Sequence, residues 1–530
     1  MGREPLDNLP ALWNQVLNEV PMRAAVARPT PEGELEEVPF LGIEALARVV
    51  ARDMDRREVG PIVATAMPQS LPFVVLAIAT WKSGRTLLPL NPRMARAELQ
   101  AILADAGAKQ GYYFEPVKAV LDGLIEQIAI EPVVAQMQAD LQKLAAQYGV
   151  KAGSNPGVML MTMARGVLNA RVPYKDKTDL ADKPAVLLYT SGTSGTPKGV
   201  ELSHRNLAAN INGVKEALHI DKDIRSLGIL PVFHSFGLTA GMLLPLMVGA
   251  CYVPLPTTDP HEILAGMKSA RINCLKLVPS LARLLSRMQT KAKLPIELRI
   301  AASGGEKMLP EIAQAFEAAF GIPLLEGYGL TETSPVVSFN TYENHRAGSV
   351  GRPLPGVEIA IVDPESKAAL SVGQEGEVCV KGANVMLGYH GRPEETKVAV
   401  DAMGRFHTGD RGMLDQDGYL FITGRLKEMI IVGGENVWPA EVENVLIKHP
   451  DVAEAGVVGV QSNRSGEQVM ACVTLKDGHQ AEAGALQAFC REHLAGFKVP
   501  KQIKIVDKMP HTPTGKVLRR ELKGEFEVGE

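Results

Sequence analysis

The stretch VLLYTSGTSGTPKGVELSH, residues 186–204, decides how this chain reads. It opens as an apolar run of strand length. It then becomes a loop rich in hydroxyl side chains, with Gly192, Gly195 and Gly199 among them and one lysine, Lys198. Such a loop suits a polyphosphate. Glycines let backbone N–H groups approach phosphate oxygens, hydroxyls add donors, and the lysine adds a mobile positive charge. The order is not GxxxxGK[ST], because Pro197 precedes Lys198 and Gly199 follows it. That argues against a P-loop kinase or ATPase. A flexible Ser/Gly linker has a similar composition. The loop's place between an apolar strand and a helix expected from Asn206 speaks against a linker.

Upstream, strands alternate with helices. Residues 60–67 and 86–90 read as buried strands, 71–83 and 96–106 as helices, and 111–114 as a short strand. This alternation implies a parallel sheet. Residues 117–148 have helical periodicity. Residues 153–168 are Met-rich, which suits core or subdomain packing, with peripheral membrane or lipid contact as the alternative. Downstream of residue 348 the texture changes to short β-rich runs, VEIAIV, GEVCVKG and GYLFITG, separated by turn residues. That is the pattern of a small antiparallel barrel or sheet. A mixed unit follows, with helices expected near 441–448 and 484–493. The segment GRLKE at 424–428 reads as the linker.

Composition narrows the function classes. The chain has 530 residues, too many for one compact core. Its 56 basic and 60 acidic residues leave a formal net charge of -4, so no basic excess points to nucleic acid. The five cysteines form no CxxC pair, which supports neither a zinc site nor a disulfide framework and fits a reducing, cytoplasmic setting. The start, MGREPLDNLP, lacks a basic-then-apolar leader, and Leu6 stands where a myristoylation signal needs Ser or Thr. No apolar run is long enough to span a bilayer.

Four further blocks carry chemistry. In LLEGYGLTET, residues 324–333, Tyr328 offers a face for a base, and Thr331 and Glu332 offer oxygens, Glu332 as a Mg2+ ligand. A buried strand-to-turn corner explains the same residues. In FHTGD, Asp410 follows a glycine turn and can accept both ribose hydroxyls; a surface turn aspartate is the plain alternative. Arg425 comes one strand later. PVFHSFGLTAG carries His234, and a lone histidine is more often packed than catalytic. No GxSxG elbow accompanies it. MPHTPTGKVLRREL presents Lys516 on a Thr-Pro-Thr-Gly turn before a basic helix, which by itself reads as a solvated terminus.

These blocks together resemble the acyl-adenylate-forming superfamily, which includes acyl-CoA synthetases, peptide-synthetase adenylation domains and luciferases. YTSGTSGTPKG is similar to its signature loop, and the likeness runs in order from PLNPRMARAEL near residue 89 to PTGKVLRREL. The resemblance implies an α/β protein: a large N-terminal domain of α/β layers plus a distorted β-barrel, with a small mobile C-terminal α+β domain. The boundaries expected are 1–426, with a β-rich part at about 345–424, and 427–530. It implies ATP contacts from Thr190, Ser191, Gly192, Thr193, Ser194, Gly195 and Lys198. It places Gly305, Glu306, Glu326, Gly327 and Tyr328 around the nucleotide and Thr331 by the α-phosphate. Glu332 would hold Mg2+, Asp410 and Arg425 would take the ribose, and His234 would lie beside the acyl and pyrophosphate region. Lys516 would be the catalytic lysine, Lys427 the hinge, and Gly433 and Gly434 the CoA face.

The activity implied is an ATP-dependent fatty acid–CoA ligase. An acyl–acyl-carrier-protein synthetase using the same adenylate is the second reading, and a catalytically silent nucleotide-binding protein the third. The Leu-, Met- and Val-rich segments 230–256 and 326–340 suit an alkyl chain. His234 stands where a peptide-synthetase domain has an aspartate for the amino group. Oligomeric state is not legible.

Overall fold

The computed structural model describes residues 6–29, 35–130, 174–190, 197–306, 308–432, 435–462, 466–511 and 517–527. Ser191, Gly192, Thr193, Ser194, Gly195, Gly433, Gly434, Lys516 and the Met-rich run 153–168 lie outside them. The chain divides into two compact units. The first comprises Met1–Ala347, Pro353–Glu358 and Val380–Phe406; the second comprises Gly348–Arg352, Ile359–Cys379 and His407–Glu530.

In the first unit one sheet runs in the order Gly388–Tyr389, Lys198–Ser203, Pro184–Thr190, Thr86–Pro89, Ile62–Thr65, Gln110–Tyr113, Glu126–Ala129. From Pro184–Thr190 onward the neighbours are parallel, as the βα alternation predicts. The helix Leu71–Lys82 connects two of these strands. Ser70 Oγ caps it by accepting from Phe73 N at 3.3 Å. Phe73 through Lys82 are all buried, so this helix is core on every face rather than amphipathic. Lys82 is neutralised there by Asp176 at 2.8 Å and Glu44 at 3.2 Å.

The second sheet of this unit runs from Val336–Phe339 through Leu325–Gly329, Ile300–Ser303, Cys274–Leu277, Arg225–Gly228, Cys251–Pro254 and Ala24–Pro29 to Leu35–Pro39. Its inner strands pair in parallel. Strand residues alternate between two faces. Leu227, Leu275, Leu277 and Ala301 pack on one side, and Tyr252, Cys274, Ile300 and Ala302 join the larger core on the other.

One expectation is corrected and one is extended. Residues 117–148 do not start a long helix: after the helix Lys118–Leu121 and Gly123 (φ +68), Glu126–Ala129 is a strand paired with Gln110–Tyr113. Sheet pairing outweighs local helical periodicity here. The helix expected from Asn206 is present, but a strand not foreseen comes before it. Lys198–Ser203 is an antiparallel strand, and only then does the helix His204–Ala217 begin, capped by Ser203.

In the β-rich segment, Val357–Val362, Gly376–Gly382, Phe406–Leu414 and Leu420–Arg425 form a four-stranded sheet. The C-terminal part of the second unit is built on a sheet of Glu435–Val437, Ile430–Val432, Gly466–Leu475 and Val452–Ser462, with Gln502–Ile505 added in parallel. The helices Pro439–Ile447 and Ala483–His493 cover it through Val442, Leu446 and Leu486. All five cysteines are buried and none is in a disulfide. No helix among the described residues is long and apolar enough to cross a membrane.

Candidate active site

The signature loop is a hairpin connection, because Thr190 and Lys198 are paired on adjacent antiparallel strands. Lys198 is therefore held on a strand end. Its ammonium forms an ion pair with Glu395 and lies 5.2 Å from the ring centroid of Tyr389. The Lys198 interaction holds the Glu395 carboxyl below the usual carboxylate range.

Tyr389 is placed by two devices. Its strand pairs with Lys198–Ser203, with Tyr389 opposite Val200. Its backbone N–H donates to Thr396 Oγ1 at 2.9 Å, on the helix Pro393–Ala399 that also carries Glu395. The Tyr389 hydroxyl donates to Glu332 Oε1 at 3.1 Å. Burial, followed by the Glu332 charge, pushes this phenol up from its ordinary range. One tyrosine thus touches both the loop lysine and the proposed metal-binding carboxylate.

The corner around Glu332 is built from a strand and a short turn. Leu325–Gly329 pairs with Val336–Phe339, and Thr331–Thr333 makes the turn between them. Gly327 is required by packing, since a Cβ there would lie 2.1 Å from the Phe339 ring. Asn384 Nδ2 donates to Thr333 O at 3.0 Å, and Met386 N donates to Glu332 O at 2.9 Å. Thr331 Oγ1 is 3.3 Å from Ser235 Oγ. That contact brings the His234 segment to the same corner. His234 itself packs against Phe233, with ring centroids 4.7 Å apart.

The neighbouring strand supplies the other wall. A Cβ at Gly304 would stand 3.2 Å from Gly327 O and 3.9 Å from Phe236, so this is a close backbone passage. Gly305 follows with φ +89, a conformation that favours glycine. Glu326 Oε1 accepts from Met308 N at 3.0 Å, tying the segment with Gly305 and Glu306 to the strand of Gly327 and Tyr328. The carboxylate of Glu326 is thereby a loop fastener.

In the second unit, Asp410 and Arg425 are paired across adjacent strands, and Arg425 Nε lies 2.7 Å from Asp410 Oδ1. Asp410 is 2% exposed; Gly409 before it has φ +69 but lies within the strand Phe406–Leu414, so the turn expected there from the sequence is absent. Lys427 lies in the turn Leu426–Glu428. The ends of the segment carrying Lys516 are closed by a bridge between His511 and Val517 and by Leu518 N donating to Pro510 O at 2.9 Å.

Sequence reasoning missed Tyr389, Glu395 and Ser235. Ser235 adjoins a residue already singled out. Tyr389 and Glu395 sit in LGYHGRPEET, about two hundred residues from the loop, and become its neighbours only through the strand pairing of Gly388–Tyr389.

A parallel α/β fold whose glycine-rich hairpin and acidic corner meet at one tyrosine can offer a cation and hard oxygen donors to one phosphate ligand. The chain matches the AMP-binding enzyme family over residues 36–390 and the AMP-binding enzyme C-terminal domain over 441–516, and it belongs to that family. It is 34% identical to a long-chain-fatty-acid–CoA ligase of Salmonella typhimurium over 491 residues, covering 88% of this chain and 85% of the relative. It is 32% identical to an oxalate–CoA ligase of Arabidopsis thaliana, covering 88% of each. ATP-bound MatB from Rhodopseudomonas palustris superposes with a TM-score of 0.84 at 30% identity, over 98% of this chain and 99% of that one. MenE from Bacillus subtilis in complex with ATP and magnesium superposes with a TM-score of 0.80 at 26% identity, over 97% and 99%. The chain is an AMP-forming acid–CoA ligase of the adenylate-forming class.

Proposed function

We propose that this ligase activates a fatty acid and transfers it to coenzyme A. One observation carries the site reading: Lys198 and Glu332 both touch Tyr389, so the loop cation and the acidic corner face one small volume. In the first step a carboxylate oxygen attacks the α-phosphate of ATP, a P–O bond forms, and the bond to pyrophosphate breaks. Two anions must meet, so fixed positive charge governs the barrier. Lys198 exchanges Glu395 for the departing pyrophosphate, and Lys516 bridges the carboxylate and α-phosphate. Thr331 orients the phosphate, Tyr328 packs on adenine with the Gly305–Glu306 segment opposite, and Asp410 and Arg425 take the ribose. The fit for Mg2+ is good, since Glu332 and Thr331 present hard oxygen donors; the ion when bound would neutralise phosphate charge.

In the second step the thiol attacks the acyl carbonyl and AMP leaves. The domain boundary falls at residues 426–427, with Lys427 as the hinge and Gly433 and Gly434 on the CoA face. The acyl chain lies along the sheet face beneath Gly304, against the apolar helix Phe236–Leu243. Support for a fatty acid comes from that helix and from the long-chain relatives. The absence of any disulfide among the five cysteines supports a cytoplasmic setting.

The test is ATP–pyrophosphate exchange dependent on added acid, followed by AMP release with CoA or with a holo acyl carrier protein. Exchange with fatty acids, and AMP release with CoA, is expected. Exchange with none of the acids overturns the adenylating site. AMP release with the carrier protein alone replaces CoA as the acceptor.

A further inference from the structure

The sheet face assigned to the acyl chain is not wholly apolar. In-register pairing puts Ser226, Tyr252, Cys274 and Lys276 on that face, with Ile300 opposite Cys274 and Ala302 opposite Lys276. Lys276 is 3% exposed, and its ammonium donates to Ser226 Oγ at 2.7 Å. Among the described residues no carboxylate pairs with it, whereas the other deeply buried lysine, Lys82, has two. An ammonium has three donors and is expensive to bury without a counter-charge. Beside it, Tyr252 stands opposite Ser226 on the next strand and is completely buried, and its hydroxyl has no hydrogen-bond partner. Thr239 Oγ1, on the helix Phe236–Leu243 that packs on the strand Arg225–Gly228, is also buried without a partner. Buried polar groups usually find partners, so Tyr252 and Thr239 without one, beside a lysine with no counter-charge, leave room for a polar ligand.

The register gives the depth. Ser226 lies level with Cys274 and therefore with Ile300, four residues before Gly304, which follows the end of that strand at Ser303. Four strand residues span roughly 13 Å. Gly304 stands at the C-terminal edge, where α/β sheets bind their ligands. We propose that Lys276, Ser226 and the Tyr252 hydroxyl form an anion-recognising subsite at the closed end of the acyl pocket, which takes the far acidic group of a medium-length dicarboxylic acid. The acid is then activated at one end and identified at the other. The proposal rests on the adenylating reading above and refines its substrate.

The test compares decanedioate with decanoate in acid-dependent ATP–pyrophosphate exchange, using the full chain and its Lys276→Met and Tyr252→Phe variants. Wild type is expected to favour the diacid by about tenfold or more in kcat/KM, because a site built for a polar group rejects an analogue lacking it. Lys276→Met is expected to lose about a hundredfold for decanedioate and to hold or gain for decanoate, inverting the preference. Tyr252→Phe narrows the preference without inverting it. Melting without acid supplies a second readout: Lys276→Met should melt at or above wild type, since it removes an uncompensated buried charge. Wild-type preference for decanoate, equal loss for both acids, or a variant that melts well below wild type each overturn the subsite. Exchange with neither acid nor any other fatty acid overturns the adenylating reading instead.

Discussion

At the scale of single residues, His204 provides a pH-linked test of the loop's foundation. It is the first residue of the helix His204–Ala217, is 1% exposed, and neither ring nitrogen has a partner among the described residues. Burial pushes its pKa down to about 4. The folded state therefore favours the neutral ring. Its contribution is fully present above the ordinary histidine value near ~6.5 and is lost as pH falls toward 4, a loss of roughly 3 kcal/mol. Urea unfolding of wild type and His204→Leu between pH 7 and pH 4 checks this, and the stability difference should move in favour of leucine by about that amount. A pH-independent difference refutes the assignment. Lys198 and Glu395 give a second test. Lys198→Ala should raise KM for ATP and lower kcat by about a hundredfold. Glu395→Gln should lower KM for ATP by about two- to fivefold and sharpen pyrophosphate inhibition, because an exposed carboxylate competes only weakly for the ammonium. A rise in KM for ATP in Glu395→Gln would instead make Glu395 part of the binding surface.

At the scale of elements, the acidic corner depends on close contact between two strands. Gly327→Ala would drive a Cβ into the Phe339 ring, and the backbone that aims Tyr328, Thr331 and Glu332 would have to shift. Overpacking of this kind destabilises by about 1–3 kcal/mol. Chemical denaturation should register that loss, and ATP–pyrophosphate exchange should fall by more than the fraction unfolded. Phe339→Leu placed on the Gly327→Ala background should recover part of both; additive losses would mean the clash is not the cause. The corner was legible in sequence because Tyr328, Thr331 and Glu332 fall within one five-residue stretch. So were the helices Leu71–Lys82 and Arg96–Ala106, whose apolar runs and breakers coincide with their ends. What escaped depends on pairing between distant segments. The strand Glu126–Ala129 exists because Gln110–Tyr113 offers it an edge, and Tyr389 reaches Glu332 because its strand adds to Lys198–Ser203. Lys276 also escaped, since a single lysine in an apolar strand does not reveal which face it takes or whether a carboxylate awaits it.

At the scale of the whole molecule, two reactions with different demands must share one nucleotide site, and the second unit contains the parts proposed to alternate between them. Within that unit the helix Arg519–Glu527, which follows Lys516 in sequence, is anchored at its first residue. Arg519 Nε lies 3.1 Å from Glu428 Oε2, and its terminal nitrogens contact Glu443 at 2.9 and 3.1 Å. Glu428 ends the turn that contains Lys427. Rotation at Lys427 would therefore carry the helix Arg519–Glu527 with Glu428 and Glu443. Lys427→Pro fixes φ at the hinge and restricts Leu426 before it. It should slow thioester formation about tenfold or more while leaving pyrophosphate exchange nearly intact, because hinge residues absorb the dihedral change between steps. Lys516→Ala should have the opposite effect: exchange falls by about a hundredfold or more, and thiol attack on preformed acyl-AMP persists. Rapid-quench measurement of each half-reaction separates the two variants. If both lose both half-reactions equally, the division of labour between hinge and lysine is wrong, and one fixed arrangement must serve both chemistries.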